Sequence, residues 1–307
     1  MPDAPAGAAR FAIVCKTHRL DVVRAQRFIE SVGRHNLERL PVFLIVPEAD
    51  RELFETTVAD GTAVLLSDEA VVESHPQAAA RGLLERYRAM PGYLSQQVVK
   101  AEAWRLLGCE HYLCADADAV FLRDFALSDF LAPAGHAWTQ LHQSRDFHAL
   151  ALALGHAEVF DRFLADSARM KERFGRIGPD YDFGPLPLVW SARVWRDLEE
   201  HHLAPLGMTL WDAIEAIPIE TRWYGEALLA YRGVPIDPVA PFFRVYHYDW
   251  QHALLVGHGE TETQVARQFL GVVYQSNWEF ESDVVGARSR GSRWARRFQR
   301  WRRTRGV

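Results

Sequence analysis

The sequence predicts an α/β fold, a mixed sheet flanked by helices with a basic helix at the C-terminus, and three observations carry that prediction. Strand-like apolar runs alternate with helical patterns over the first third of the chain, the rhythm of stacked βαβ units. The apolar run His111-Tyr112-Leu113-Cys114-Ala115 closes on Asp116-Ala117-Asp118 and leads into a second run, Ala119-Val120-Phe121-Leu122, so a buried strand ends on two carboxylates. The 307 residues, 49% hydrophobic and 24% charged, suffice for a large core without staples.

Taken in order, Phe11 to Cys15 reads as a strand, about Leu20 to His35 as a helix, Val42 to Val46 as a strand, a segment from about Ala49 as a helix, and Ala63 to Leu66 as a strand. Two further helices, Gln77 to Met90 and Leu94 to Leu107, precede the strand that carries the carboxylates. Beyond it the order becomes mixed: a strand over Trp138 to Leu141, a helix over Ala157 to Phe174, a strand over Leu186 to Trp190 and a helix over Ala192 to His201. The expectation is one domain over 10–280, a Gly/Ser/Arg hinge near 286–292, and an arginine-rich amphipathic tail over 287–307. No internal repeat is evident.

Composition narrows the function classes. The three cysteines, Cys15, Cys109 and Cys114, form no CxxC pair, and two sit inside apolar runs, which fits a reducing cytoplasm. No stretch of eighteen apolar residues and no signal peptide is apparent, so membrane contact is expected to be peripheral, at the inner face. The net charge of −5 conceals an asymmetry, because residues 287–307 carry nine arginines and no acid, leaving a more acidic body. An acidic body argues against nucleic-acid binding. In the tail, Trp294, Phe298 and Trp301 fall at i, i+4 and i+7, an aromatic stripe among arginines that suits an anionic membrane surface; a disordered basic end is the plain alternative.

Positions i and i+2 of an extended segment share a face, so Asp116 and Asp118 can converge on one hard cation. Magnesium or manganese takes oxygen ligands and is commonly held by one or two carboxylates together with substrate phosphates. Such a pair suggests a nucleotide-diphosphate substrate, against the plain reading of a solvated turn. Ligands in open α/β sheets bind outside the carboxyl ends of strands, which groups the loops after Cys15 and Ala115. Gln96, Gln97 and Lys100 occupy i, i+1 and i+4 of a helix, with Gln96 and Lys100 expected on one face and the Lys100 ammonium suited to a diphosphate oxygen.

Several motifs together carry a family resemblance: Val14-Cys15-Lys16-Thr17-His18 after the first strand, Gln96-Gln97-Val98-Val99-Lys100 on a helix, Asp116-Ala117-Asp118, Glu220 ahead of Tyr224-Gly225, and Tyr246-His247. On these the chain resembles nucleotide-sugar-dependent glycosyltransferases of the GT-A type, with their Rossmann-like sheet, and is similar to a bacterial family among them. The resemblance implies a nucleoside-diphosphate-sugar donor, a glycan or lipid-linked acceptor such as a growing surface polysaccharide, and Mn2+ or Mg2+ held by Asp118 with help from Asp116. It further implies His247 as an added metal ligand, with Asp249 behind it, and Lys16, Thr17, His18, Asp21 and Asp68 near the base and ribose, joined by Gln97, Lys100 and Asp116 on the donor. Thr17 and Asp21 read equally well as helix caps. An acceptor hydroxyl needs a carboxylate to take its proton. Glu220 is the expected base, with Asp182, Asp180 and Asp212 behind it, while Glu226 reads as a surface acid and Arg222 and Trp223 depart from the family's usual residues.

Two other classes remain open at this level. Asp116-Ala117-Asp118-Ala119-Val120 also meets the signature of haloacid-dehalogenase-like phosphohydrolases, with Asp116 as nucleophile and Asp118 as acid/base. Against that, the motif does not sit on the first strand, and no convincing later Asp-Asp pair follows. The remaining class is a non-catalytic membrane-associated scaffold.

Overall fold

The structure is a computed structural model that describes residues 10–58 and 61–276. The expected tail over 287–307 lies outside the described residues. The strands are β1 (Phe11–Lys16), β2 (Val42–Val46), β3 (Val64–Ser67), β4 (His111–Asp116), β5 (Ala119–Phe121), β6 (Thr139–Gln140), β7 (Leu188–Ser191), β8 (Pro238–Val239), β9 (Phe243–Tyr246) and β10 (Gly271–Tyr274). The helices are α1 (Val22–His35), α2 (Arg51–Thr57), α3 (Asp68–Glu73), α4 (Leu83–Ala89), α5 (Gly92–Leu107), α6 (Arg145–Ala153), α7 (Ala157–Phe174), α8 (Ala192–Asp197), α9 (Leu210–Ala216), α10 (Glu220–Tyr231), α11 (Asp249–Gly257) and α12 (Glu262–Val265).

The main sheet runs β3-β2-β1-β4-β7, parallel through β4 and closed by antiparallel β7. Strand order reverses between β1 and β4, so their carboxyl ends diverge into a crevice, and the register sets Lys16 opposite Asp116 there. All six residues of β1 are buried, as a central strand covered on both faces requires. Alternation splits them: Ala12 and Val14 join one core with Tyr112 and Cys114, whereas Ile13 and Cys15 join another with Leu113 and Ala115. The first core packs under α3, α5 and α8 to α10 and absorbs Trp190, Trp195, Trp211 and Trp223, none more than 1% exposed. These tryptophans are therefore core residues. The second core packs under α1 and α2 and the smaller sheet β5-β10-β9.

Most sequence-based elements stand within two residues of expectation, and each departure has a local cause. The helix expected over Gln77 to Met90 forms only from Leu83, because Gly82 ahead of it adopts a left-handed φ of +57°. The strand expected from Leu186 begins at Leu188, after Pro185 and Pro187, neither of which can donate to a ladder. The helix expected to His201 stops at Asp197 and continues as a wider π-helical turn over Leu198–Leu203. Neither Thr17 nor Asp21 is a side-chain cap: Asp21 instead binds His18 and Arg24, and Ser67 caps α3 through Ala70 N–H at 3.1 Å.

Candidate active site

The crevice at the ends of β1 and β4 is a cleft of about 660 Å³ whose lining includes Lys16, Thr17, His18, Asp68, Asp116 and Asp118. Asp118 sits just past β4 where the chain turns into β5. It is 6% exposed, and its Oδ2 accepts the Ser276 backbone N–H at 2.8 Å. Burial first, and then the charge of Asp116, raise its carboxyl above the usual range, with the Ser276 N–H opposing. Two hard oxygen donors, one of them buried and repelled by the other, form a donor set that suits a divalent cation. Across the cleft Lys16 pairs with Asp68 at 3.0 Å, both side chains buried, and Tyr87 donates to Asp68 at 2.6 Å. Burial raises the Asp68 carboxyl, and Lys16 works against it. His18 stands at the mouth, 3.1 Å from Asp21, which also holds the buried Arg24 at 2.6 Å.

The expected roles of the α5 residues are rearranged. Lys100 is 4% exposed and lies beneath the cleft wall, with its Nζ 3.1 Å from Asp116 Oδ1 and 3.0 Å from Glu220 Oε1. Burial alone would lower its pKa, but the Asp116 and Glu220 carboxylates outweigh burial and raise it, so the ammonium is held charged. Gln97, not Gln96, works with it: Gln97 Oε1 accepts the Glu220 N–H at 3.1 Å, while Gln96 lines the cleft. One turn of α5 thus fixes both the first carboxylate of the pair and the start of α10.

His247 does not join Asp116 and Asp118. It lines a second cleft of about 610 Å³ with Gln140, His142, Ser144 and Arg145, its ring 4.5 Å from that of Phe147. Burial holds its imidazole below the usual range. Asp182 adjoins the same cleft: Ser144 Oγ donates to its Oδ2 at 2.7 Å, and Gly184 N–H reaches its Oδ1 at 3.2 Å. Ser144 holds a left-handed φ of +48°, a conformation costly for serine. Glu220 and Asp182 therefore face different surroundings, linked where Arg222 reaches back to the Tyr181 carbonyl at 3.4 Å.

The remaining candidates have structural explanations. Asp212 caps α9 with Thr209 and pairs with Arg86, and Asp180 binds Ser167 and Lys171. Glu226 is fully buried against Arg176 rather than on the surface, and Asp249 accepts the Trp250 N–H at 2.8 Å. Tyr224 and Gly225 are structural too: the Tyr224 hydroxyl accepts the Ser191 N–H at 2.8 Å, and Gly225 admits the Phe183 ring. Among the described residues, one further group offers clustered ligand atoms, His75 with Glu102 and Glu199. Its chemistry opposes a metal, because Arg105 already lies between the two carboxylates and His75 Nδ1 accepts the Gln77 N–H, which leaves the ring proton on Nε2. Tyr87, Arg24 and Ser276 escaped sequence reasoning. Ser276 acts through its backbone and left no side-chain signal.

A family described as a family of unknown function (DUF6492) matches residues 9–263. The chain belongs to it. The family match takes in every residue of the cleft except Gln275 and Ser276. No curated protein matches the sequence. Among solved structures, the apo crystal structure of mouse xyloside xylosyltransferase 1 is similar at 9% identity, covering 88% of this chain and 99% of that one with a TM-score of 0.47.

Proposed function

We propose that the chain is a metal-dependent glycosyltransferase that moves a sugar from a nucleoside-diphosphate-sugar donor to a glycan or lipid-linked acceptor. The observation that supports this reading is the convergence of Asp116, Asp118 and the buried Lys16–Asp68 pair on one cleft at the reversal point of the sheet. Asp116 and Asp118 would hold Mn2+ or Mg2+, which supplies Lewis-acid stabilisation for the charge of a departing diphosphate. Lys16, Thr17, His18 and Asp68 then face the nucleoside, while Gln97 and Lys100 act from beneath by fixing Asp116 and Glu220. Glu220 is engaged by Lys100 and serves to position it. Asp182, held by Ser144 beside the second cleft, would take the acceptor's hydroxyl proton.

The tail over 287–307 supports a location at an anionic membrane face, and with it an acceptor in surface polysaccharide synthesis. Among the described residues, no helix is long and apolar enough to cross a membrane. The phosphohydrolase alternative gains nothing from the fold, since its signature follows β4 rather than the first strand. The test is incubation with nucleotide sugars and Mn2+, with and without saccharide acceptors, followed by mass spectrometry. A new glycoside that requires acceptor supports transfer, whereas hydrolysis that ignores acceptor contradicts it.

A further inference from the structure

The two clefts meet at the ends of β9 and β10. These strands are parallel neighbours with Tyr246 opposite Tyr274, and the Gln275 N–H reaches the Tyr246 carbonyl at 3.4 Å. The next N–H, that of Ser276, holds Asp118, and Gln275 and Ser276 both line the first cleft. His247 follows Tyr246 directly and lines the second. One strand spacing, about 5 Å, thus separates the segment that borders the second cleft from the one that holds Asp118.

The polar groups inside the second cleft are neutral. Gln140 is 9% exposed, and its Nε2 donates to the Pro187 carbonyl at 3.0 Å, which fixes the amide and leaves Oε1 to accept. Gln251, 4% exposed, spends its amide on the His247 N–H at 2.8 Å and the Val245 carbonyl at 3.2 Å. The His247 backbone is anchored in this way, while neither of its ring nitrogens has a hydrogen-bond partner among the described residues. Gln140 Oε1 and both ring nitrogens are absent from the unpartnered atoms sealed off from solvent, so all three are open to the cleft. The cations of the cleft are already engaged. Arg244 is bound by both oxygens of Glu260, at 3.2 and 3.0 Å, and Arg145 is exposed, bonded to Gln143 and next to the exposed Asp146.

Resting on the reading of the chain as a glycosyltransferase, we infer that the second cleft takes the acceptor, an uncharged saccharide, and that Gln140 and His247 select it by binding its hydroxyls. A hydroxyl both donates and accepts, so it satisfies the carbonyl oxygen of Gln140 and either nitrogen of a neutral imidazole. A carboxylate or phosphate has no proton to give Gln140. Its charge would also lie beside Asp182 with Arg244 already paired, so its burial is uncompensated.

The test is saturation-transfer NMR titration of the full chain with the methyl glycosides of glucose, galactose and mannose, each against its own uronic acid, and with N-acetylglucosamine. At least one neutral sugar is expected to bind, and any acidic counterpart to bind about tenfold or more weakly. His247→Phe keeps a ring and removes both nitrogens, and Gln140→Leu keeps the bulk and removes the amide. Each should weaken the bound neutral sugar about three- to tenfold, while Mn2+-dependent stabilisation by nucleoside diphosphate holds and shows the fold intact. An acidic sugar that binds as tightly as its neutral counterpart, neutral sugars that do not bind, or unchanged affinity in both variants would overturn the inference. Loss of the Mn2+-dependent stabilisation in His247→Phe at an unchanged melting temperature would assign His247 to the cation and overturn it as well. Acceptor-dependent glycoside formation in the mass-spectrometric assay would leave the transferase reading standing through each of these results, whereas hydrolysis that ignores acceptor removes that reading and the inference with it.

Discussion

At the residue scale, the site is organised by buried ion pairs more than by exposed ligands. Lys100 sits between Asp116 and Glu220, so Lys100→Met would leave two carboxylates facing each other without the ammonium between them. Breaking a buried pair costs about 3–5 kcal/mol, and because the Asp116 side chain is 39% exposed the expected loss is at the low end, about 3 kcal/mol by urea unfolding. A loss below about 1 kcal/mol would show that Lys100 is dispensable to the fold. Glu102, elsewhere on the same helix, gives a test in pH. Burial first, with the charge of Glu199 adding and Arg105 opposing, pushes its carboxyl up to about 7 from an ordinary 4.5. The folded state thus binds this proton more tightly than the unfolded chain, so its contribution is complete below the ordinary value and disappears as pH rises through about 7. Glu102→Gln should gain melting temperature relative to the parent between pH 5 and pH 8; a constant difference would contradict the assignment. The pair Asp116 and Asp118 was legible because spacing and strand end are sequence properties. The partnership of Gln97 and Lys100 with Glu220 was not, because it depends on a contact more than a hundred residues distant and on which face of α5 meets α10.

At the element scale, legibility follows local punctuation. β1, β2 and β4 are continuous apolar runs, and α5 begins immediately after Pro91, so these elements stood close to expectation. The helix over Gln77 to Met90 failed because a single left-handed glycine overrode its periodicity. His247 follows β9 and lines the second cleft with Gln140, His142 and Arg145, a grouping of distant segments that no local pattern encodes. The start of α10 is held by close packing: a Cβ on Gly225 would lie 2.0 Å from the Phe183 ring. Gly225→Ala should therefore displace the loop that carries Asp182 and cost about 1–3 kcal/mol, the usual range for overpacking. Phe183→Leu in the same chain should recover part of that loss in thermal unfolding, and no recovery would place the strain elsewhere.

At the scale of the whole molecule, the order β3-β2-β1-β4-β7 lays out the cleft, with carboxylates at β4, the buried lysine at β1 and Asp68 beyond β3. The sequence showed the alternation that generates such a sheet, but the reversal between β1 and β4 and the antiparallel β7 are products of chain-wide packing. The basic tail belongs to this scale as well. Removing residues 287–307 should abolish co-sedimentation with vesicles containing anionic lipid at low salt, and unchanged binding would discard the membrane role.

The central claim is that Asp116 and Asp118 hold a cation on which a nucleoside diphosphate docks. Its most direct test is thermal unfolding of the parent chain and of Asp118→Ala, each with nucleoside diphosphates in the presence and absence of Mn2+. The account predicts that nucleotide stabilises the parent chain only when metal is present, and that Asp118→Ala loses this stabilisation while still unfolding cooperatively. Stabilisation that ignores the metal, or that survives Asp118→Ala undiminished, would contradict it.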